Sequence, residues 1–120
     1  MHATALSGVV AEHIAAINAF DLDAAMATFS DDAYVNDNRR EFVGIEAVRR
    51  WVAREMIGDH VTIDVREVLD HHGDTVVRGA YDGTFDRTNL PEEIILSNYF
   101  SVRDGKIVSL VVIFNQDPGY

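Results

Sequence analysis

Three polar residues fall where the hydrophobic pattern of the sequence calls for apolar ones, and their types suit proton transfer. Asp37 stands two residues after Val35, so the two share one face of an extended segment. If Val35 faces a core, Asp37 points to the mouth of the pocket beside it. A carboxylate at an apolar pocket is disfavoured as an anion, which raises its pKa and makes it a usable base near neutral pH. Alternatively, Asp37 is a turn residue in Val35-Asn36-Asp37-Asn38-Arg39, where Asn and Asp are at home. His13 lies between Val10 and Ile17 on an apolar helical stripe. An imidazole there is either a core histidine bonded to a backbone or side-chain acceptor, or a proton donor or shuttle working with Asp37. Asn98 falls between Leu96 and Phe100, and its amide is either a hydrogen-bonding group for a bound molecule or a partner for His13.

Other chemistries are poorly served. The chain has no cysteine, so disulfides, thiolate metal sites and cysteine nucleophiles are excluded. Asp70, His71, His72 and Asp74 cluster at a turn, but their spacing fits no metal motif, and polar turns are usually solvated. Arg78 and Asp82 share a strand face, and with Asp37 they would form an Asp-Arg-Asp set of the epoxide-hydrolase kind if the fold gathered them. Gly79 and Gly83 sit inside a strand pattern and read as bend points rather than a phosphate loop. Twenty acidic against ten basic residues give a net charge of −10, which repels phosphate backbones and anionic lipid. Nucleic acid and membrane are therefore not expected partners. The most apolar run, residues 107–114, is too short to span a bilayer, and a cytoplasmic location is the default expectation.

The elements that must position these residues are helices first and strands afterwards, within a single domain over residues 1–120. Leu6, Val9, Val10, His13, Ile14 and Ile17 recur at helical steps and predict an amphipathic helix over about residues 3–19. Asp21 caps a second, short helix with Leu22, Ala25, Met26 and Phe29 on its apolar face. Residues 33–38 and 39–43 read as two short strands, and Gly44 opens a third helix that stops at Gly58. From His60 the period drops to two, giving strands up to Arg66, over 75–85, over 94–102 and over 107–116, the last two joined by an Asp104-Gly105 hairpin. The order is ααββαββββ, an α+β fold with helices on one face of a long antiparallel sheet.

Across that hairpin, Leu96, Asn98, Phe100 and Val102 should share the inner face with Leu110, Val112 and Phe114. Ile95, Tyr99, Val111 and Ile113 then lie on the outer face, where water is a poor neighbour for them. A homodimer packed sheet to sheet would cover them; so would a C-terminal tail.

Two stretches carry a family resemblance. Asn18-Ala19-Phe20-Asp21-Leu22-Asp23 followed by Thr28-Phe29-Ser30-Asp31-Asp32-Ala33 resembles the opening of the nuclear transport factor two-like superfamily. Phe42-Val43-Gly44-Ile45-Glu46-Ala47-Val48 and Asp104-Gly105-Lys106-Ile107-Val108 resemble its later segments. Within it, the chain is most similar to SnoaL-like proteins and ketosteroid isomerases. The resemblance implies a cone: a curved antiparallel sheet wrapped around three helices, with a deep apolar pocket. It places Asp37 on the segment that carries the isomerases' general base, His13 where they have a tyrosine donor, Asn98 where they have a protonated aspartic acid, and Val52 where some have a supporting tyrosine. The superfamily includes isomerases, cyclases, dehydratases, epoxide hydrolases and proteins without activity, so the fold alone does not give the function.

The expectation is a pocket for a small apolar molecule, with Tyr34, Trp51, Phe100, Leu110, Val112 and Phe114 as its walls. Asp37 would act as base and His13 and Asn98 would polarise an oxygen, without a cofactor or metal. The alternative is a non-catalytic carrier, accessory or dimerisation domain using the same fold.

Overall fold

The computed structural model describes residues 2–88 and 90–114. Its elements in chain order are β1 (His2–Ala3), α1 (Gly8–Asn18), α2 (Leu22–Met26), β2 (Phe29–Asp37), β3 (Arg40–Val43) and α3 (Ile45–Trp51). A π-helical continuation follows (Val52–Ile57), then β4 (Thr62–His71), β5 (Asp74–Asp82), β6 (Ile94–Arg103) and β7 (Lys106–Phe114). All the strands join one sheet in the order β1-β4-β5-β6-β7-β2-β3. Every pairing is antiparallel except β2 on β7, which is parallel.

The helices fill the concave side. α1 buries Val10, His13, Ile14, Ala16 and Ile17, the stripe read from the sequence. It starts at Gly8 rather than near residue 3, because the preceding chain is drawn into the sheet: His2 pairs with Asp70, and the Thr4 amide donates to the Val68 carbonyl at 2.9 Å. α2 is a single turn, capped by Asp21, whose side chain accepts from the Ala24 amide at 3.0 Å. Phe29, expected on its apolar face, instead begins β2 and remains buried there.

α3 does not run on as a regular helix. From Val52 the backbone widens, with the Gly58 amide donating to the Ala53 carbonyl at 2.8 Å and the Val61 amide to the Met56 carbonyl at 2.9 Å. Gly58 stops the helix because of close packing: a Cβ there would lie 2.5 Å from the Arg54 carbonyl oxygen.

Two tight hairpins set the registers that matter for the site. Asn38 and Arg39 both adopt left-handed backbone angles, as do Asp104 and Gly105, the pattern of a two-residue turn that matches strand twist. The first hairpin sets Arg40 directly opposite Asp37. The second pairs Leu96 with Phe114, Asn98 with Val112 and Phe100 with Leu110, the inner face expected from the sequence. Val102 departs from that expectation. A bulge between Ser101 and Val102 breaks the alternation, so Val102 is exposed and Ile107, its partner, is buried. β5 ends at Asp82 rather than at residue 85, because Gly83 and Thr84 turn the chain and the Thr84 amide donates to the Asp59 carbonyl at 2.7 Å.

On the outer face, Ile113 is 45% exposed, while Ile95, Tyr99 and Val111 are half-buried. The tail that was the alternative cover for this face lies outside the described residues. Among the described residues, no helix is long and apolar enough to cross a membrane.

Candidate functional site

The site is built at the end of β2, where the chain must turn back into β3. Strand alternation carries Ala33 and Val35 into the core, so Asp37 arrives on the same inner side at the strand's last position. There it meets a cavity of about 320 Å³. β2 contributes Asp37 to the wall, α3 contributes Trp51, and the π-helical segment contributes Glu55 and Met56. Asp59 and Val61 follow from the next connection, then Tyr81 from β5, Phe85 and Leu90 from the loop after it, Ile94 and Leu96 from β6, and Val112 and Phe114 from β7. Apolar side chains make up most of this wall, and of its charged residues Arg40 and Glu55 form one chain with Asp37.

Asp37 is not a solitary carboxylate in an apolar site. Its Oδ2 accepts from the Trp51 indole Nε1 at 3.1 Å and from Arg40 Nη2 at 2.5 Å. Arg40 also donates to both oxygens of Glu55, at 2.9 and 2.6 Å. The Arg40 guanidinium is held above even its usual range, by Glu55 foremost and by Asp37 in addition, against the cost of desolvation. The side chains of Arg40 and Glu55 are 53% and 37% exposed, so this chain of charges lies at the cavity rim.

Tyr81 forms the polar spot in the apolar part of the wall. Its hydroxyl donates to Asn98 Oδ1 at 2.7 Å, and Asn98 Nδ2 donates to the Val77 carbonyl at 3.2 Å. Burial pushes the Tyr81 phenol well above the usual tyrosine range; Asn98 works against that shift and the Asp37 charge adds to it. Asp37 therefore acts electrostatically on Tyr81, while Asn98 backs Tyr81 from behind the wall.

The structure divides the residues singled out from the sequence. Asp37, Trp51, Val112 and Phe114 line the cavity. His13 and Asn98 do not. His13 is 2% exposed, with Nδ1 3.0 Å from Thr28 Oγ1 and the rings of Phe29 and Phe100 at 5.2 and 5.6 Å. The Thr28 hydroxyl donates its hydrogen to the Ala25 carbonyl at 2.5 Å, so His13 must be the donor in its own bond, through Nδ1–H. Burial lowers the His13 pKa to about 4, with the Ala25 carbonyl opposing the shift, so the ring is neutral at pH 7.

Three expected wall residues lie elsewhere. Phe100 and Leu110 pair with each other farther along the sheet, where both are buried in the core and Phe100 packs against His13. Tyr34 is one residue out of phase with Val35 and Asp37, so it sits on the opposite face, its hydroxyl donating to Glu41 at 2.8 Å. The imagined Asp37, Arg78, Asp82 set does not assemble: Arg78 pairs with Glu67 at 3.2 Å and Asp82 with Arg87 at 2.7 Å. The structure instead joins Asp37, Arg40 and Glu55.

Phe85, an aromatic that the sequence also offered for the cavity, lines it, whereas Arg40, Glu55 and Tyr81 carry no such expectation. A signal for Arg40 was present, since a two-residue turn at Asn38-Arg39 forces it opposite Asp37. Glu55 carried none, because its placement follows from the switch to a π-helix.

A curved sheet folded over three helices is the cone-shaped α+β fold of the nuclear transport factor two-like proteins. The chain belongs to the SnoaL-like domain family, whose model matches residues 10–110. Solved structures agree on the fold. A Sinorhizobium meliloti protein provisionally named a polyketide cyclase superposes with a TM-score of 0.79 at 25% identity, over 90% of this chain and 95% of that one. TerC, co-crystallised with polyporic acid, gives 0.74 at 16% identity over 89% and 87% of the two chains. A ketosteroid isomerase-like protein from Catenulispora acidiphila, in complex with trimethylamine, gives 0.72 at 17% over 88% and 83%. A search of curated protein sequences finds no match.

Proposed function

We propose that the cavity takes up a small, largely apolar carbonyl compound and that Asp37 removes a proton from the carbon next to the carbonyl, as isomerases and cyclases of this fold class do. The observation that carries this reading is a carboxylate on the wall of an apolar cavity, tied through Oδ2 while Oδ1 has no hydrogen-bond partner among the described residues. A general base needs such a free oxygen within reach of the proton it takes. Tyr81 is the group suited to polarise the carbonyl oxygen, by turning its O–H from Asn98 toward the bound molecule. Asn98 acts through Tyr81. His13, bonded within the core, supports the fold. The polyketide cyclase name of the Sinorhizobium meliloti neighbour is consistent with this chemistry.

The test uses 2-tetralone, a compact apolar ketone, in D2O. Wild-type protein is expected to speed exchange of its α-hydrogens, and Asp37→Asn to remove that effect while still binding the ketone. No exchange by the wild type, with binding retained, would favour a carrier.

A second reading rests on the Asp37, Arg40, Glu55 chain of charges, which resembles the Asp-Arg-Asp pattern considered for epoxide opening. Asp37 would then activate water rather than a C–H bond. Diol formation from styrene oxide, absent in Asp37→Asn, would support it.

The outer sheet face is the surface on which we place a homodimer, with Ile95, Tyr99, Val111 and Ile113 packing against a second copy. Tyr99→Glu together with Ile113→Glu should convert a dimer to a monomer in sedimentation equilibrium. A monomeric wild type would refute this placement.

A further inference from the structure

The two oxygens of Asp37 are not equivalent. Oδ2 takes both donors, Trp51 Nε1 and Arg40 Nη2, and Oδ1 takes none among the described residues. Arg40 is itself clamped. Its Nη1 and Nη2 reach the two oxygens of Glu55, and Nη2 spends its second hydrogen on Asp37. A guanidinium is planar and its N–H directions are fixed, so a carboxylate gripping two prongs sets the direction of the remaining bond.

Three separate elements converge to make this arrangement. β2 supplies Asp37 and β3 supplies Arg40, locked opposite it by the hairpin register. Glu55 comes from the π-helical stretch, a local departure from regular helix of the kind that recurs at functional sites. An ion pair of exposed side chains adds little stability. Its position at the rim, with one end on the cavity carboxylate, instead suits orientation.

The charges point the same way. A lone guanidinium beside Asp37 would leave an uncompensated positive charge where the bound molecule must enter. Glu55 places a negative charge on the same guanidinium and offsets that effect. Arg40 can then orient Asp37 with its own charge compensated.

We propose that Arg40, clamped by Glu55, is a positioning residue that ties Asp37 through Oδ2 and leaves Oδ1 as the oxygen that takes the proton. This rests on the reading of Asp37 as the base and adds which oxygen works and what holds it. The same holding would serve Asp37 acting on water.

The test reads Asp37 through Trp51. The chain has a single tryptophan, so its indole N–H gives one resonance, and that N–H is bonded to Asp37. Its chemical shift is followed against pH in wild type, Arg40→Gln and Glu55→Gln. The other titratable groups on the cavity wall, Asp59 and Tyr81, are unchanged in all three. Removing the cation should move the midpoint up by about one pH unit, and removing the compensating anion should move it down, so the two variants shift in opposite directions. The acid limb of 2-tetralone exchange should follow the same order. Arg40→Lys keeps the charge and loses the fork, so its midpoint should stay near the wild-type value while the plateau rate falls about tenfold.

Midpoints in both Gln variants that stay at the wild-type position, or move the same way, would overturn the proposal. So would an Arg40→Lys protein with full plateau rate. If Arg40→Gln does not fold, the downward shift in Glu55→Gln decides the matter. The reading of Asp37 as base fails separately, if Asp37→Asn retains exchange.

Discussion

The two ends of the cone each hold a polar residue inside an apolar pattern, and they treat it in opposite ways. At the closed end, His13 sits among Phe29, Phe100 and the Thr28 hydroxyl, which passes its own hydrogen on to Ala25. The bonds run inward to the chain itself, and burial keeps the ring uncharged at pH 7. At the open end, Asp37 is tied on one oxygen only among the described residues, beside a cavity of about 320 Å³, within a line of charges at the rim. The closed end uses a polar group to specify packing. The open end leaves a polar group with capacity to spare, which is what binding and catalysis require.

The largest expected effect separates the two in activity. Asp37→Asn should reduce 2-tetralone exchange at least about a hundredfold, the usual worth of a positioned base, while His13→Gln should change it less than about threefold per folded molecule. The reverse order would break the comparison. Next comes acid stability. The folded His13 pKa of about 4 lies below the value near 6.5 of an unfolded histidine, so the unfolded chain binds more protons between these limits. The stabilisation is full above about pH 6.5 and is lost as pH falls toward about 4, a change of roughly 3 kcal/mol. Urea midpoints measured across that window should show the loss, and His13→Gln should flatten it.

Smaller still is Thr28→Val, which leaves the His13 N–H without its acceptor and should lower stability by about 2 kcal/mol in urea unfolding at pH 7. The smallest effect is expected at the open end. Arg40→Gln breaks the two ion pairs of a half-exposed guanidinium and should change stability by less than about 1 kcal/mol in the same measurement. A larger loss there than at Thr28 would make the rim a structural feature after all.

Much of this was legible in the residues. The α1 stripe, the Asp21 cap and the Asp104-Gly105 hairpin follow from local rules, and together they fix which residues face inward on β6 and β7. Asp37 was legible because two-residue alternation needs only Val35 as a reference. Its partners were not. Arg40 and Glu55 meet Asp37 through a hairpin register and a helix that widens, and no residue type announces a π-helix. The wall residues were harder again. Phe100 and Phe114 share an inner face and look alike in sequence, yet one packs in the core and the other lines the cavity, because position along the cone depends on sheet curvature. Tyr34 stays off the wall because its phase against Val35 turns it outward, toward Glu41.

The most direct measurement follows Trp51 and His13 together. 2-Tetralone is titrated into isotope-labelled protein while the Trp51 indole N–H and the His13 ring resonances are monitored. With the open end as the binding site, the Trp51 signal shifts saturably and the His13 signals stay in place. Saturable movement of His13 with Trp51 unmoved would contradict it.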